Sequence, residues 1–226
     1  GSWRDYLLPE NIALDDSIQR GPSWEIADVP DSSYLDGKIA LKAIRDLQKL
    51  KELDQPFFLA VGFYKPHLPF NAPKKYWDKY NPVEIGLADN PFKPENAPEA
   101  AMHNFGELRN YHGIPPKGPL SDTLANRLRH GYHACVSYTD AQIGLLLNAL
   151  DELGLRQHTI IVLWGDHGFN LGEHGLWCKH CNFNTSLNAP LIISAPGYSG
   201  SQKSHTITEF IDIYPTLSQL AGLNMP

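Results

Sequence analysis

The side chains best suited to chemistry lie in two short stretches, each directly after an apolar run. Residues 57–63 (FFLAVGF) are followed by His67, which stands between two prolines in the sequence KPHLPF. Residues 159–164 (TIIVLW) are followed by the turn GDHG, which contains Asp166 and His167. Proline restricts the backbone, so His67 is presented from a stiff turn. A carboxylate beside an imidazole, flanked by glycines, can bind a metal ion, although an Asx-type turn with an exposed histidine is the simpler alternative.

The long loop over residues 165–189 adds further candidates. His174, Lys179 and His180 follow Asp166 within this loop. Long irregular loops usually serve a functional site. Cationic donors near a carboxylate suit an anionic substrate that is held by a metal ion together with ammonium or imidazole groups.

The cysteines do not point to a site. Cys178 and Cys181 form a single CxxC pair, and no second pair exists to complete a structural zinc site. A redox pair usually begins a helix after a strand, whereas this pair lies in the middle of a loop. We therefore interpret both thiols as incidental.

The elements that must position these residues alternate between helices and short apolar strands. Apolar residues recur every three or four positions in the helical segments and form continuous runs in the strands. This order predicts an α/β fold whose mainly parallel sheet is covered by helices on both faces. Ligands bind such sheets outside the carboxyl ends of the strands, which is where His67 and Asp166 lie. The predicted helices are 36–53, 121–154 and a short one within 207–220, and the predicted strands are 57–63, 159–164 and 191–195.

Prolines divide the chain unevenly. They are dense between residues 66 and 119, where they disfavour long helices and central strands. We interpret 66–119 as an excursion over the surface. The predicted organisation is an N-terminal extension or linker over 1–34, followed by the main domain over 35–226.

Composition excludes several classes of function. The 226 residues carry a formal net charge of −6, which disfavours binding to a nucleic-acid backbone. No apolar run approaches the length of a membrane span. The chain begins Gly1-Ser2 without an initiator methionine, so we expect its natural N-terminus to lie elsewhere.

Five ordered motifs together resemble a known family. They are FFLAVGFYKPHLPF, SYTD, TIIVLWGDHGFNLGEHGLWCK, PLI and DIYPT. In this order they resemble the later part of the catalytic domain of the formylglycine-dependent sulfatases, a branch of the alkaline phosphatase superfamily. Within that family, KPHLPF and the Asp-His pair look most like the iduronate-2-sulfatases and their bacterial relatives. The resemblance implies a sulfuric ester hydrolase that removes sulfate from a sulfated glycan or uronic acid.

The resemblance also implies roles for individual residues. His67 matches a histidine that contacts the sulfate, and Lys179 matches a lysine that bridges toward it. Asp166 and His167 match two ligands of a calcium ion. Lys65 would contact a substrate carboxylate or be structural, and His174 would help to bind the substrate. The chemistry is coherent, because cations and a metal ion stabilise charge on the non-bridging oxygens of a sulfate ester.

Two parts of the family pattern are missing from these residues. The nucleophile expected from the resemblance is a cysteine in Cys-Xaa-Pro-Xaa-Arg, converted to formylglycine, and none of Cys135, Cys178 and Cys181 has that context. The pair of adjacent aspartates that would complete the calcium site has no convincing match either. We expect both in an upstream half of the catalytic domain, so that the 226 residues alone are inactive. For its localisation, the family suggests a periplasmic, secreted or lysosomal protein.

Two alternatives to a sulfatase remain open. One is a phosphodiesterase or phosphonate hydrolase of the same superfamily, which would supply more histidine and aspartate ligands for two metal ions. The other is a non-catalytic glycan-binding module, supported by the absent nucleophile.

Overall fold

Helices form the largest part of the structure. The computed structural model describes residues 4–103 and 106–224. Two long helices dominate, and the others are short. The α-helices are α1 (Pro9–Ile18), α2 (Leu35–Glu52), α3 (Lys74–Trp77), α4 (Pro82–Ile85), α5 (Gly106–Arg109), α6 (Asp122–Glu152), α7 (Asn184–Leu187) and α8 (Ile213–Leu220). No helix in the described part of the chain combines the length and the apolar character that crossing a membrane requires.

The helices predicted from apolar periodicity are confirmed. Helices α2 and α6 begin and end within two residues of the predicted bounds. Helix α8 lies inside the segment predicted to contain a short helix. Ser121 caps α6, since its hydroxyl accepts a hydrogen bond from the backbone N–H of Leu124 at 3.3 Å. A serine in this position satisfies one of the N–H groups that the first helical turn leaves unpaired.

The strands form three pairs. They are β1 (Trp24–Ala27), β2 (Phe70–Pro73), β3 (Ile161–Trp164), β4 (Asn170–Leu171), β5 (Trp177–Cys178) and β6 (Leu191–Ser194). Strands β1 and β2 pair in parallel, whereas β3 pairs with β6 and β4 with β5 in antiparallel fashion. The α/β character expected from the sequence is present, with one parallel pair and two antiparallel pairs among the described residues.

One predicted strand is not found. Residues 57–63 belong to none of the strands of the described chain. They alternate between half-buried and exposed positions, and the Phe58 side chain is 84% exposed. An apolar run indicates a strand buried on both faces, but it forms ladder hydrogen bonds only where a neighbouring strand is present.

The proline-rich segment 66–119 is only partly a surface excursion. Its residues 70–73 form β2, and all four of them are buried. It also contributes Trp77 and Leu108 to the main core. The prolines at 69 and 73 flank or end β2 rather than interrupting it, which a short strand tolerates.

The segment predicted as an extension or linker, 1–34, is packed into the fold over its described residues. It supplies β1, which pairs with β2, and the buried carboxylate of Glu25. Glu25 accepts hydrogen bonds from the backbone N–H groups of Leu7 and Leu8 and from the hydroxyl of Tyr34. These bonds tie the start of the chain to the β1–β2 pair.

The core lies between the β1–β2 pair and α6. Phe70 and Ala72 of β2 meet Ala134 and Tyr138 of α6 in one buried cluster. Burial of a side chain of the size of Phe70 contributes about 1.5–3 kcal/mol. The Tyr138 hydroxyl also donates to the backbone carbonyl of Asp31 and accepts from the N–H of Gly37 at the start of α2. The two long helices and β2 therefore form one rigid frame, from which the candidate site projects.

Candidate functional site

Hydrogen bonds with side chains of α2 and α6 hold the turn that carries His67. Asp36, in the first turn of α2, accepts hydrogen bonds at 2.9 Å from the backbone N–H groups of Tyr64 and Lys65. The hydroxyl of Thr139 in α6 donates to the Lys65 carbonyl at 3.1 Å. The bonds Lys65–Pro66 and Leu68–Pro69 are cis. Both long helices thus fix the position from which His67 projects.

Lys65 itself points into the protein. Its side chain is buried, and its Nζ donates to the carbonyl oxygens of Pro69 at 2.6 Å and His67 at 3.3 Å. Burial lowers the pKa of this ammonium. Of the two roles considered for Lys65, these contacts favour the structural one.

Lys179 directly follows the short hairpin of β4 and β5. Hydrogen bonds from the side chains of Asn170 and Arg129 hold this hairpin in place. Asn170 in β4 donates to the carbonyl of Cys178 at 2.8 Å and to the hydroxyl of Ser186 at 2.7 Å. Arg129 of α6 donates to the carbonyl of Leu171 at 3.0 Å. Helix α6 therefore anchors the hairpin as well as the His67 turn.

The structure brings His67 and Lys179 together. The Nζ of Lys179 lies 2.9 Å from Nε2 of His67, although 112 positions separate the two residues in the sequence. Glu107, in the short helix α5, completes a cluster with them. Its Oε1 lies 2.9 Å from His67 Nε2, and its Oε2 lies 2.9 Å from Lys179 Nζ. We refer to His67, Lys179 and Glu107 as the cation–carboxylate cluster.

Glu107 was not anticipated from the sequence. It lies in the proline-rich segment, in a helix too short to give a periodic signal. Burial raises the pKa of Glu107, but hydrogen bonds from His67 and Lys179 outweigh this effect and lower the pKa to about 2. The carboxylate is therefore charged at neutral pH and balances the cationic groups around it.

His67 can hold a proton at the atom that faces the cluster. Its Nδ1 lies 2.6 Å from the carbonyl oxygen of Leu68. Because a carbonyl only accepts hydrogen bonds, Nδ1 carries the hydrogen. Nε2 of the neutral ring then accepts from Lys179, whereas Nε2–H of the protonated ring donates to Glu107. The same geometry accommodates both states, as a group that exchanges protons requires.

Asp166 and His167 directly follow β3 and offer two candidate ligands for a metal ion. The Nε2 of His167 is 3.7 Å from Oδ2 of Asp166, and the Asp166 side chain is 86% exposed. Calcium takes six to eight oxygen ligands, and this pair offers one carboxylate and one imidazole. No cluster of three or more His, Cys, Asp or Glu residues suited to a metal ion occurs within the described ranges. These residues therefore do not fit a complete calcium site by themselves.

Of the remaining candidates of the loop, His180 lies near the cluster, whereas His174 contacts Phe183 instead. The His180 Nδ1 is 3.9 Å from Glu107 Oε2, whereas the ring of His174 lies against that of Phe183 with centroids 4.4 Å apart.

Cys178 is buried, and burial together with the charge of Glu107 raises the pKa of its thiol to about 12. A thiol in this state is unreactive, which agrees with the interpretation of Cys178 as incidental.

The family model described as Sulfatase matches residues 8–223. The chain therefore belongs to the sulfatase family. It is 36% identical over 233 residues to iduronate 2-sulfatase of Mus musculus, covering 89% of this chain and 42% of that protein. It is 34% identical over 187 residues to a sulfatase of Formosa agariphila, covering 76% of this chain and 34% of that protein.

Solved structures show the same fold. A phosphonate monoester hydrolase from Silicibacter pomeroyi superposes with a TM-score of 0.73 at 23% identity, covering 88% of this chain and 40% of that one. The α/β fold of the superfamily, predicted from the sequence motifs, is confirmed. The chain spans about 42% of the length of the iduronate 2-sulfatases it matches.

Proposed function

We propose that the protein is a sulfuric ester hydrolase that removes sulfate from a sulfated glycan or uronic acid. Its iduronate 2-sulfatase relatives are named for a sulfated uronic acid. The observation that carries the proposal is the contact between His67 and Lys179. His67 belongs to the motif KPHLPF and Lys179 to the motif GEHGLWCK. The side chains of these two sulfatase motifs are in direct contact. Their chemistry suits an anionic ester.

In the proposed reaction, an oxygen nucleophile from polypeptide outside these 226 residues forms a bond to the sulfur atom. The S–O bond to the alcohol breaks, and the alcohol oxygen takes up a proton. The Lys179 ammonium donates hydrogen bonds to sulfate oxygens, where it stabilises the charge that develops in the transition state. His67 holds a proton at Nε2 and supplies it to the leaving oxygen. Asp166 and His167 would contribute two ligands to a metal ion, and His174 would contact the substrate from the same loop.

The nucleophile and the remaining metal ligands are proposed to come from polypeptide outside these 226 residues. We expect the chain alone to bind sulfate without hydrolysing its esters. Steady turnover of 4-nitrocatechol sulfate by the purified chain would contradict this part of the proposal.

Sulfate binding tests the site directly. Titration of the chain with inorganic sulfate, followed by NMR signals of the histidine rings, is expected to perturb His67. Lys179→Met should weaken binding about tenfold, since it removes a charge-assisted hydrogen bond. Lys117→Met, at an exposed position of the proline-rich segment, serves as the matched control and should leave binding unchanged. Equal sulfate affinity in the two variants would overturn the assignment of Lys179.

The phosphonate hydrolase alternative is distinguished by the same titration. The fold similarity to the Silicibacter pomeroyi enzyme is shared by both readings and does not separate them. Phosphonate esters should compete for the cluster at least as well as sulfate if the alternative holds. A clear preference for sulfate supports the sulfatase.

A further inference from the structure

A small cavity adjoins the cation–carboxylate cluster on the side of α5. Its volume is about 250 Å³, and Glu107 forms part of its wall. Pockets for drug-sized ligands measure roughly 300–1,000 Å³, so this one suits a single small ring. Its polar lining comes from Arg4, Gln19, Arg20, Glu107, Asn110 and Tyr111.

A buried hydroxyl group in this lining has no partner. The Tyr111 side chain is 6% exposed, and its Oη forms no hydrogen bond to any described residue. A buried polar group without a partner destabilises the folded protein, because its hydrogen bonds to water are lost and not replaced. Native proteins rarely keep such a group unless a water or a ligand satisfies it. Tyr111 lines the cavity, so its unpaired hydroxyl is the candidate hydrogen-bond donor to a ligand bound there.

The charges around the cavity favour an anion. Arg4 forms an ion pair with Asp15, so its charge is balanced within the protein. Arg20 is exposed and forms no ion pair or side-chain hydrogen bond with the described residues. The opposing charge of Glu107 is taken up by Lys179 and His67. One guanidinium group is thus available to an incoming anionic group.

We propose that this cavity is a binding subsite for a sugar unit that carries an anionic group. Arg20 pairs with the anion, and the Tyr111 hydroxyl together with the amides of Gln19 and Asn110 bonds to ring oxygens and hydroxyls. Guanidinium groups suit carboxylates and sulfates alike through paired N–H donors. The inference rests on the proposed function, because Glu107 joins the subsite to the cluster that would hold the scissile sulfate.

Three sugars test the subsite by calorimetric titration of the 226-residue chain. They are methyl glucuronide, glucose 6-sulfate and neutral methyl glucoside. We expect both anionic sugars to bind at least about tenfold more tightly than the neutral one, which is the value of one charge-assisted contact. A tighter glucuronide would assign a carboxylate to the subsite, and a tighter sulfate sugar would assign a sulfate. Equal binding of all three sugars would overturn the proposal.

Two variants and a control identify the residues. Arg20→Gln should weaken binding of the anionic sugars about tenfold, and Tyr111→Phe, which removes only the hydroxyl, should weaken it about fivefold. Arg45→Gln, at an exposed position of α2, should have no effect. Unchanged binding in Arg20→Gln would contradict the subsite. Thermal melting of each variant separates loss of binding from loss of folding.

Failure of the subsite is distinguishable from failure of the proposed function. Inorganic sulfate reports on Lys179, whereas the anionic sugars report on Arg20 and Tyr111. If Lys179→Met leaves sulfate binding intact while Arg20→Gln weakens sugar binding, the subsite stands and the catalytic assignment fails. The reverse result removes the subsite alone.

Discussion

Glu107 places a negative charge where an incoming sulfate would meet Lys179 and His67. Its Oε1 lies 2.9 Å from Nε2 of His67, and its Oε2 lies 2.9 Å from Nζ of Lys179. The carboxylate stabilises the folded protein, but it also competes with any anion for the same donors. Its effects on stability and on binding should therefore have opposite signs.

The variant Glu107→Gln tests this opposition. The unfolding free energy should fall by about 2 kcal/mol, since hydrogen bonds to charged groups are lost. Sulfate affinity should rise by about tenfold, because a negative charge near the site is removed. Chemical denaturation and sulfate titration measure the two quantities. Glu99→Gln, whose carboxylate is exposed and pairs with Lys93, is the matched control. A fall in sulfate affinity would show that Glu107 acts mainly by positioning Lys179.

The low pKa of Glu107 also predicts how stability depends on pH. Burial raises this pKa, but the bonds from His67 and Lys179 lower it from 4.5 to about 2. A carboxylate with a lowered folded-state pKa contributes stability above its unfolded value and loses it as pH falls through the folded value. The stability difference between the natural protein and Glu107→Gln should be complete above pH 4.5 and shrink toward pH 2. A difference that stays constant over this range would contradict the ion-pair account.

Sequence motifs single out His67 and Lys179 as candidate site residues, but they do not point to Glu107. The first two lie in local motifs beside apolar runs, and such motifs are visible along the chain. Glu107 meets Lys179 across 72 positions, from a segment of short helices and prolines without a periodic pattern. A contact of this kind depends on how the chain folds back, which single-sequence patterns do not encode.

At the scale of elements, α6 is the part on which the site depends most. It packs against β2, anchors the His67 turn through Thr139 and holds the β4–β5 hairpin through Arg129. Its close approach to β2 is made possible by Gly131. A Cβ atom at this position would lie 2.8 Å from the Cβ of Phe70 and 2.8 Å from the ring of Trp77.

Two glycines of α6 provide an internal comparison. Gly131→Ala should lower the unfolding free energy by about 1–3 kcal/mol, because the added methyl group overpacks the contact with β2. Gly144→Ala should raise it by about 0.5–1 kcal/mol, since a Cβ there has no neighbour within 4 Å and alanine favours a helix. Denaturant unfolding measures both. Equal changes in the two variants would contradict the packing between α6 and β2.

Helices were predictable from sequence to a greater extent than strands. The apolar stripes of α2 and α6 are local and gave bounds close to those observed. Strand β2 is not predicted from the sequence, because prolines at its ends disfavour strands in general. It forms nonetheless, since its pairing with β1 covers only four residues and the prolines do not interrupt it. Residues 57–63 have the composition of a strand but no strand partner in the described ranges, and pairing is a property of the whole sheet.

At the scale of the whole molecule, the apolar surface around β6 is the most unusual feature. Ile192 is 58% exposed and Ile193, which points to the other face, is 37% exposed. Apolar residues on both faces are typical of a strand covered on both sides. A two-stranded sheet such as β3–β6 is marginal by itself, and its edge can pair with another chain.

The chain should therefore self-associate through β6. Exposed apolar edges promote association at micromolar to millimolar concentrations, so sedimentation velocity at about 100 μM should detect dimers or larger species. Ile192→Lys should weaken this association at least about tenfold, because a lysine on an edge strand opposes pairing. Val83→Lys, at a highly exposed position of α4, changes the net charge equally and should have no such effect. A chain that remains monomeric at this concentration would contradict the predicted association. Equal weakening by Ile192→Lys and Val83→Lys would show that net charge, and not the β6 edge, controls association.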